Sequence, residues 1–328
     1  MNSILGESHS SAHTVTTTSH SAHTGDLMKV VVLAKLHPDA VKLLQENCDV
    51  EVALDLTDED IAKRIAEADG AIVRSKPIIS RAIIDAGTHL KVVGRAGVGL
   101  DNIDVKYAQS KGITVVNTPE ATTESVAEHV FALLFSTVKN ICRADHALKE
   151  GKWIKKELHG TELKGKTLGI IGFGRIGSRL GEIAAAFGMK VLAYDVIDIS
   201  ERAREVGAEV CSLEDLLQRS NFITLHVPLL PSTRNLISEN EIAQMKPGTV
   251  IINTARGGVV DEKALYTALS EQKVYAALDV FTEEPPTSSP LLTLDNIVMT
   301  PHIAGSTEEA QQRTGTEVAR KVLEALGL

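Results

Sequence analysis

Short runs of β-branched and aliphatic residues alternate along this chain with stretches in which apolar residues recur every three or four positions. The short runs, bounded by glycine or polar residues, read as buried strands, and the intervening stretches as amphipathic helices. The first series predicts strands at 30–33, 50–53, 70–73, 92–94 and 114–116, with helices at 39–46 and 58–68. One long helix is expected at 123–149. A second series then predicts strands at 167–172, 190–194, 208–211, 222–226, 249–253, 275–280 and 297–299, and a last helix at 307–325 that returns to the first domain. Such alternation predicts parallel sheets covered by helices, and a length of 328 residues suits two domains.

Residues 1–27 break the pattern. They are rich in Ser, Thr and His, including His9, His13, His20 and His23, and carry no apolar periodicity, so a disordered tail is expected, with Met28 a candidate natural start. Adventitious metal binding is the most these histidines suggest, and no metal site is expected. The formal net charge is −9 and the basic residues are scattered, which argues against nucleic acid as a partner. The three cysteines, Cys48, Cys142 and Cys211, form no Cys-x-x-Cys pair, pointing away from a disulfide framework or zinc cluster. No apolar run nears the roughly 18 residues of a membrane span. A cytoplasmic setting without membrane attachment is expected.

Chemistry enters at Gly172, Gly174 and Gly177, a G-x-G-x-x-G directly after an apolar run and ahead of a helical pattern at 175–187. Such a turn lets backbone approach a pyrophosphate at a helix N-terminus. The next strand leads to Asp195, close to the roughly 20-residue spacing at which a carboxylate meets the adenosine ribose; its charge would repel a 2′-phosphate, favouring NAD over NADP. A bare tight turn followed by a solvated Asp195 is the ordinary alternative.

Open parallel sheets bind ligands at the carboxyl ends of their strands. Arg256, Glu284 and His302 each follow a predicted strand. Histidine titrates nearest neutrality and suits the proton that must move with a hydride. Glu284 is expected to hold the ring and favour its charged form, and Arg256 to bind a substrate carboxylate or a carbonyl oxygen gaining charge. Gly257 and Gly258 are expected to give the arginine loop room at the ligand. Taken singly, these three are also ordinary solvated or hydrogen-bonded loop residues.

The strings VRS (Val73–Ser75), VGRAGVGLDN ending at Asn102, TPEATTESVAEH (Thr118–His129), LGIIGFGRIG, HVPLLPSTRN, NTARGGVVDE, ALDVFTEEPP and TPHIAGST resemble the D-isomer-specific 2-hydroxyacid dehydrogenases over nearly everything after Met28. The resemblance implies that Arg256, Glu284 and His302 are catalytic. It implies NAD contacts from Arg175, Ile176 and Asp195 beside the glycines, and from Val98, Val227, Pro228, Thr233, Thr254, Ala255, Asp279, Ala304 and Gly305. The substrate carboxylate would be held by backbone amides at Gly97 and Val98 and by Asn102. Arg74 and Ser75, with Lys76 and Arg95 nearby, would meet a substrate phosphate, or else be surface charges beside a strand end.

The expected fold is therefore α/β with two doubly wound parallel-sheet domains: a flavodoxin-like substrate domain over 28–122 and 305–328, and a Rossmann NAD domain over 123–304. The implied reaction is NAD-dependent oxidation of a D-2-hydroxyacid, foremost 3-phosphoglycerate. The alternatives are reduction of glyoxylate or hydroxypyruvate, and, in another class, an NAD-sensing corepressor-like binding protein. Longer family members continue into a regulatory domain, which is not expected within these 328 residues. A homodimer or homotetramer is expected, the family commonly pairing through the cofactor domain, where Trp153 is either an interface residue or ordinary core.

Overall fold

The computed structural model describes residues 27–328, so all but the last residue of the tail predicted at 1–27 lies outside the described residues. The chain forms two compact units, the described part of Met1–Thr118 with Gly315–Leu328, and Pro119–Thr314.

In the first unit, β1 (Lys29–Val32), β2 (Asp49–Val52), β3 (Gly70–Val73), β4 (Val92–Arg95) and β5 (Thr114–Asn117) form one parallel sheet in the order β2-β1-β3-β4-β5, the flavodoxin-like order. Helices α1 (Pro38–Gln45), α2 (Asp58–Ile65), α3 (Arg81–Ala86) and α4 (Val105–Ser110) connect the strands. Local chemistry sets their starts: the Thr57 hydroxyl accepts the Asp60 N–H, and the Asp104 carboxylate the Tyr107 N–H. Both sheet faces are buried. Val31, Ala71 and Val73 pack to one side with Ile61 and Ile84; Val30, Val32, Ile72 and Val92 pack to the other with Val318, Val322 and Leu326. Strands covered on both faces read as unbroken apolar runs, which is the pattern the sequence carries.

The second unit holds α5 (Thr123–Val138), α6 (Ile141–Lys149), β6 (Thr167–Ile171), α7 (Arg175–Ala186), β7 (Lys190–Tyr194), α8 (Ser200–Glu205), β8 (Glu209–Val210), α9 (Leu213–Arg219), β9 (Phe222–Leu225), α10 (Glu239–Ala243), β10 (Thr249–Asn253), α11 (Glu262–Ser270), β11 (Val274–Leu278) and β12 (Ile297–Met299). Its parallel sheet runs β12-β11-β10-β9-β6-β7-β8, so β6, the strand before the glycine turn, is an interior strand and the order reverses there, as in the Rossmann fold. Side chains alternate between two cores: Leu168, Ile170, Val250 and Ile252 on one face, Ile171, Ile223, Ile251 and Leu278 on the other. The final helix, α12 (Glu308–Leu326), contributes its residues from Gly315 onward to the first unit.

Three expectations are corrected. The helix predicted at 123–149 is two helices, because Asn140 takes a left-handed φ of 54° between them, a conformation asparagine tolerates well. The Asn140 side chain donates to the His159 carbonyl at 3.2 Å, and Thr161 N–H donates to Val138 at 2.8 Å, fixing the break. The units divide at Thr118 and Thr314 instead of 122 and 304: Arg313 donates to the Ala121 carbonyl at 3.0 Å and Thr307 hydrogen-bonds Ser125 at 2.6 Å, tying both junctions into the second unit. Trp153 is 79% exposed, so it is not core.

Glycines admit the closest packing. A Cβ at Gly94 on β4 would lie 2.6 Å from Val322 and 2.9 Å from Val318. Alanine ordinarily suits a strand better than glycine, so a loss on Gly94→Ala isolates the clash. Urea unfolding should show Gly94→Ala destabilised by about 1–3 kcal/mol, the usual cost of overpacking.

Candidate active site

The turn after β6 is built for close approach by ligand backbone or phosphate. Gly172 has φ +90°, and a Cβ there would stand 2.5 Å from the His226 carbonyl oxygen. A Cβ on Gly177 would overlap the Gly172 carbonyl, whereas Gly174 has nothing within 4 Å of its Cβ position and faces open space. Gly174 is also the N-cap of α7 and offers no side chain to its first N–H groups. Unspent helix amides beside an open glycine fit a pyrophosphate.

Asp195 lies at the end of β7, and its Oδ2 accepts the Phe173 N–H at 2.8 Å while Oδ1 accepts the Val196 N–H at 2.7 Å. The acid thus fixes the glycine turn. Arg175 is exposed, with Nε donating to Glu120 at 3.1 Å, and Ile176 is half-buried against the core.

The three strand-end residues also lie in this unit. After β10, the buried Asn253 donates to the Arg256 carbonyl at 2.9 Å and accepts the Ala255 N–H at 3.0 Å, closing the loop that carries the guanidinium. Arg256 Nη1 donates to the Ala255 carbonyl at 2.7 Å. The Thr254 hydroxyl is buried with no partner among the described residues, an orphaned polar atom at a strand end. Gly257 has a different reason from the expected one: a Cβ there would collide with the Phe281 backbone, so this glycine lets two loops touch.

His302 follows β12 and adopts a left-handed φ of 55°. Its Nδ1 is 2.8 Å from Glu284 Oε2, and Glu284 Oε1 accepts the Phe281 N–H at 3.1 Å. Both side chains keep substantial exposure, 49% for His302 and 37% for Glu284, so a ligand can reach them. The structure brings His302 and Glu284 into direct contact.

Asp279, expected as an NAD contact, is fully buried and organises the histidine loop. Its Oδ1 accepts the Thr300 hydroxyl at 2.6 Å and the Ile303 N–H at 2.8 Å, its Oδ2 accepts the Ala304 N–H at 2.8 Å, and its carbonyl accepts the His302 N–H at 2.8 Å. Burial alone would raise its pKa, but hydrogen bonds from His129, Thr300, Ile303 and Ala304 outweigh it and hold the carboxyl below the ordinary aspartate value. The Ala304 amide is therefore committed to Asp279, and a Cβ on Gly305 would stand 3.3 Å from the Thr122 side chain, so this glycine lets the loop lie close to Thr122. Thr233 closes its own turn, accepting the Leu230 N–H at 2.7 Å and donating to Pro228 at 2.5 Å, and so shapes the loop that begins at Val227.

In the first unit, Gly97 has φ +143° and is followed by the exposed Val98, with no acceptor for either N–H among the described residues. Two such amides suit a carboxylate. Asn102 does not join them as a donor: its amide hydrogens are taken by the Arg74 carbonyl at 2.9 Å and the Pro77 carbonyl at 2.8 Å, so it holds that turn. Arg74 is half-buried, and burial pushes its guanidinium pKa below the usual value; Ser75 beside it is exposed. Sequence reasoning missed Asn253, Thr300 and His129, because their roles depend on partners that no local spacing reveals. Among the described residues no cluster of His, Cys, Asp or Glu is set to hold a metal ion, and no helix is long and apolar enough to cross a membrane.

The family described as D-isomer specific 2-hydroxyacid dehydrogenase, NAD binding domain, matches residues 131–304. The chain is 50% identical over 302 residues to a D-3-phosphoglycerate dehydrogenase of Methanocaldococcus jannaschii, covering 92% of this chain and 58% of that protein. It is 48% identical over 305 residues to a hydroxypyruvate reductase of Thermotoga maritima, covering 92% of this chain and 99% of the other. The chain thus spans little more than half of the first relative and nearly all of the second. Among solved structures, the D-lactate dehydrogenase of Aquifex aeolicus complexed with NAD and lactic acid superposes with a TM-score of 0.79 at 33% identity, covering 91% of this chain and 95% of that one.

His226, whose carbonyl lies against Gly172, gives a pH test of this region. Burial pushes its imidazole pKa from 6.5 down to about 3. Below the unfolded value the unfolded chain binds a proton that the folded ring refuses, so the stabilisation is complete above about pH 6.5 and is lost as pH falls toward the folded value. Urea midpoints between pH 7 and pH 4 should fall more steeply for the parent protein than for His226→Gln. Parallel slopes would show that the ring titrates normally.

Proposed function

The chain belongs to the D-isomer-specific 2-hydroxyacid dehydrogenase family, and on that premise we propose that it interconverts 3-phosphoglycerate and 3-phosphohydroxypyruvate with NAD, a step towards serine. The observation that carries the reading is the His302–Glu284 pair, held at 2.8 Å beside a loop carrying Arg256.

With Nδ1 donating its hydrogen to Glu284, the neutral ring leaves Nε2 as a lone-pair acceptor, the form a general base needs. His302 Nε2 takes the substrate hydroxyl proton as the alcohol carbon is oxidised, and Glu284 stabilises the imidazolium that results. In reduction the same nitrogen returns the proton to the carbonyl oxygen. Arg256 faces that oxygen with its guanidinium and offsets the charge it gains. NAD, when bound, supplies the hydride acceptor. Gly172, Gly174 and Gly177 with the α7 amides would hold its pyrophosphate, and Asp195 its ribose, the charge disfavouring a 2′-phosphate. The Thr254 hydroxyl and the Val227, Pro228, Ala255 and Gly305 backbone complete the proposed cofactor set.

The Gly97 and Val98 amides are proposed to bind the substrate carboxylate, and Arg74 with Ser75 its phosphate. A second reading, reduction of hydroxypyruvate or glyoxylate, is favoured by the near full-length match to a hydroxypyruvate reductase. The assembly proposed is a cytoplasmic homodimer or homotetramer.

His302→Ala should lower kcat/KM for 3-phosphohydroxypyruvate with NADH by about 10²–10⁴-fold, the range of a general acid–base, while the NADH Kd read by fluorescence changes little. Arg74→Ala should raise KM for 3-phosphohydroxypyruvate and leave glyoxylate reduction nearly unchanged. Purified protein that turns over hydroxypyruvate but not 3-phosphohydroxypyruvate would overturn the first reading in favour of the second.

A further inference from the structure

We propose that His129, on α5, is a positioning residue for His302, acting through Thr300 and Asp279; the inference rests on His302 being the acid–base. It follows from counting hydrogens. A threonine hydroxyl has one proton, and that of Thr300 is given to Asp279 Oδ1 at 2.6 Å. Its oxygen can then only accept from His129 Nε2, 3.0 Å away. This fixes His129 as the tautomer bearing hydrogen on Nε2, the nitrogen that also stands 3.5 Å from Asp279 Oδ1.

Every hydrogen in the chain points the same way, from α5 through Thr300 onto one buried carboxylate. That carboxylate, with its own carbonyl, collects the amides of His302, Ile303 and Ala304. Three successive amides are thereby held across a residue whose φ of 55° is unfavourable for a side chain other than glycine and persists only where its surroundings over-determine it. The anchor at the far end is firm: α5 is fixed in the core by Val126, Val130, Leu133 and Leu134, and the His129 side chain is only 17% exposed.

An ordinary half-buried helix histidine would need no defined donor. The positioning role does, because a Thr300 hydroxyl freed from His129 can turn away from Asp279 and let the loop relax. A displacement of about 1 Å at the reacting group is enough to cost roughly 10²-fold in rate.

The test compares His129→Phe, which fills the space without a donor, His129→Gln, which keeps a terminal N–H, Thr300→Val, and the double variant His129→Phe/Thr300→Val. The substrate is whichever of 3-phosphohydroxypyruvate and hydroxypyruvate the protein reduces faster with NADH. Both single losses should lower kcat by about tenfold or more with KM and NADH Kd within about twofold, a split expected when transition-state geometry alone is disturbed. The double variant should be no worse than either single one, and His129→Gln should recover most of the rate.

Full kcat in His129→Phe, additive losses in the double variant, or no recovery with glutamine would each overturn the proposal. Should His129→Phe not fold, Thr300→Val and His129→Gln read the same link. His302→Ala is assayed alongside. Its inactivity beside a fully active His129→Phe removes only the positioning role, whereas an active His302→Ala removes the acid–base reading and this inference with it.

Discussion

Asp279 sits at the end of β11 with no exposure to solvent, and a carboxylate is costly to bury unless hydrogen bonds replace its water. The protein meets that cost with donors drawn from the loop after β12 and from α5, and the same bonds that keep the acid ionised give the His302 loop its shape. Removing water and positioning the imidazole are thus one event. The strand order supplies the setting, since β11 and β12 are neighbours in the sheet and their ends fall side by side.

Around that anchor, close backbone contacts do the remaining placement. Gly257 lets the Arg256 loop lie on the Phe281 backbone, and Glu284, three residues on, closes back onto the Phe281 N–H before reaching His302. Arg256, Glu284 and His302 are consequently held by short loops on adjacent parallel strands, and rigid scaffolds of this kind preorganise a site better than long loops do.

Much of this was legible in the sequence because the signals were local. The runs 70–73, 190–194, 249–253 and 297–299 match β3, β7, β10 and β12 at both ends, and the glycine turn with Asp195 is readable from spacing alone. The break at Asn140 was not: the flanking segments are both helical in pattern, and only the Asn140 bond to the distant His159 carbonyl decides that the chain turns there. Asn102 misled for a related reason. Its residue type suits a carboxylate donor, but its hydrogens are already spent on Arg74 and Pro77, twenty-five residues or more away in sequence. His129 gave no sign of its role because a histidine inside an apolar helix pattern looks like any other until the strand beside it is known.

The first unit borrows part of its core from the far end of the chain. Val318, Ala319, Val322, Leu323 and Leu326 close the sheet face that exposes Val30, Ile72 and Val92. A chain made from its amino end releases those strands first and their cover last, after all of the second unit has emerged. During synthesis, therefore, the first unit must wait for the second before its core can be closed.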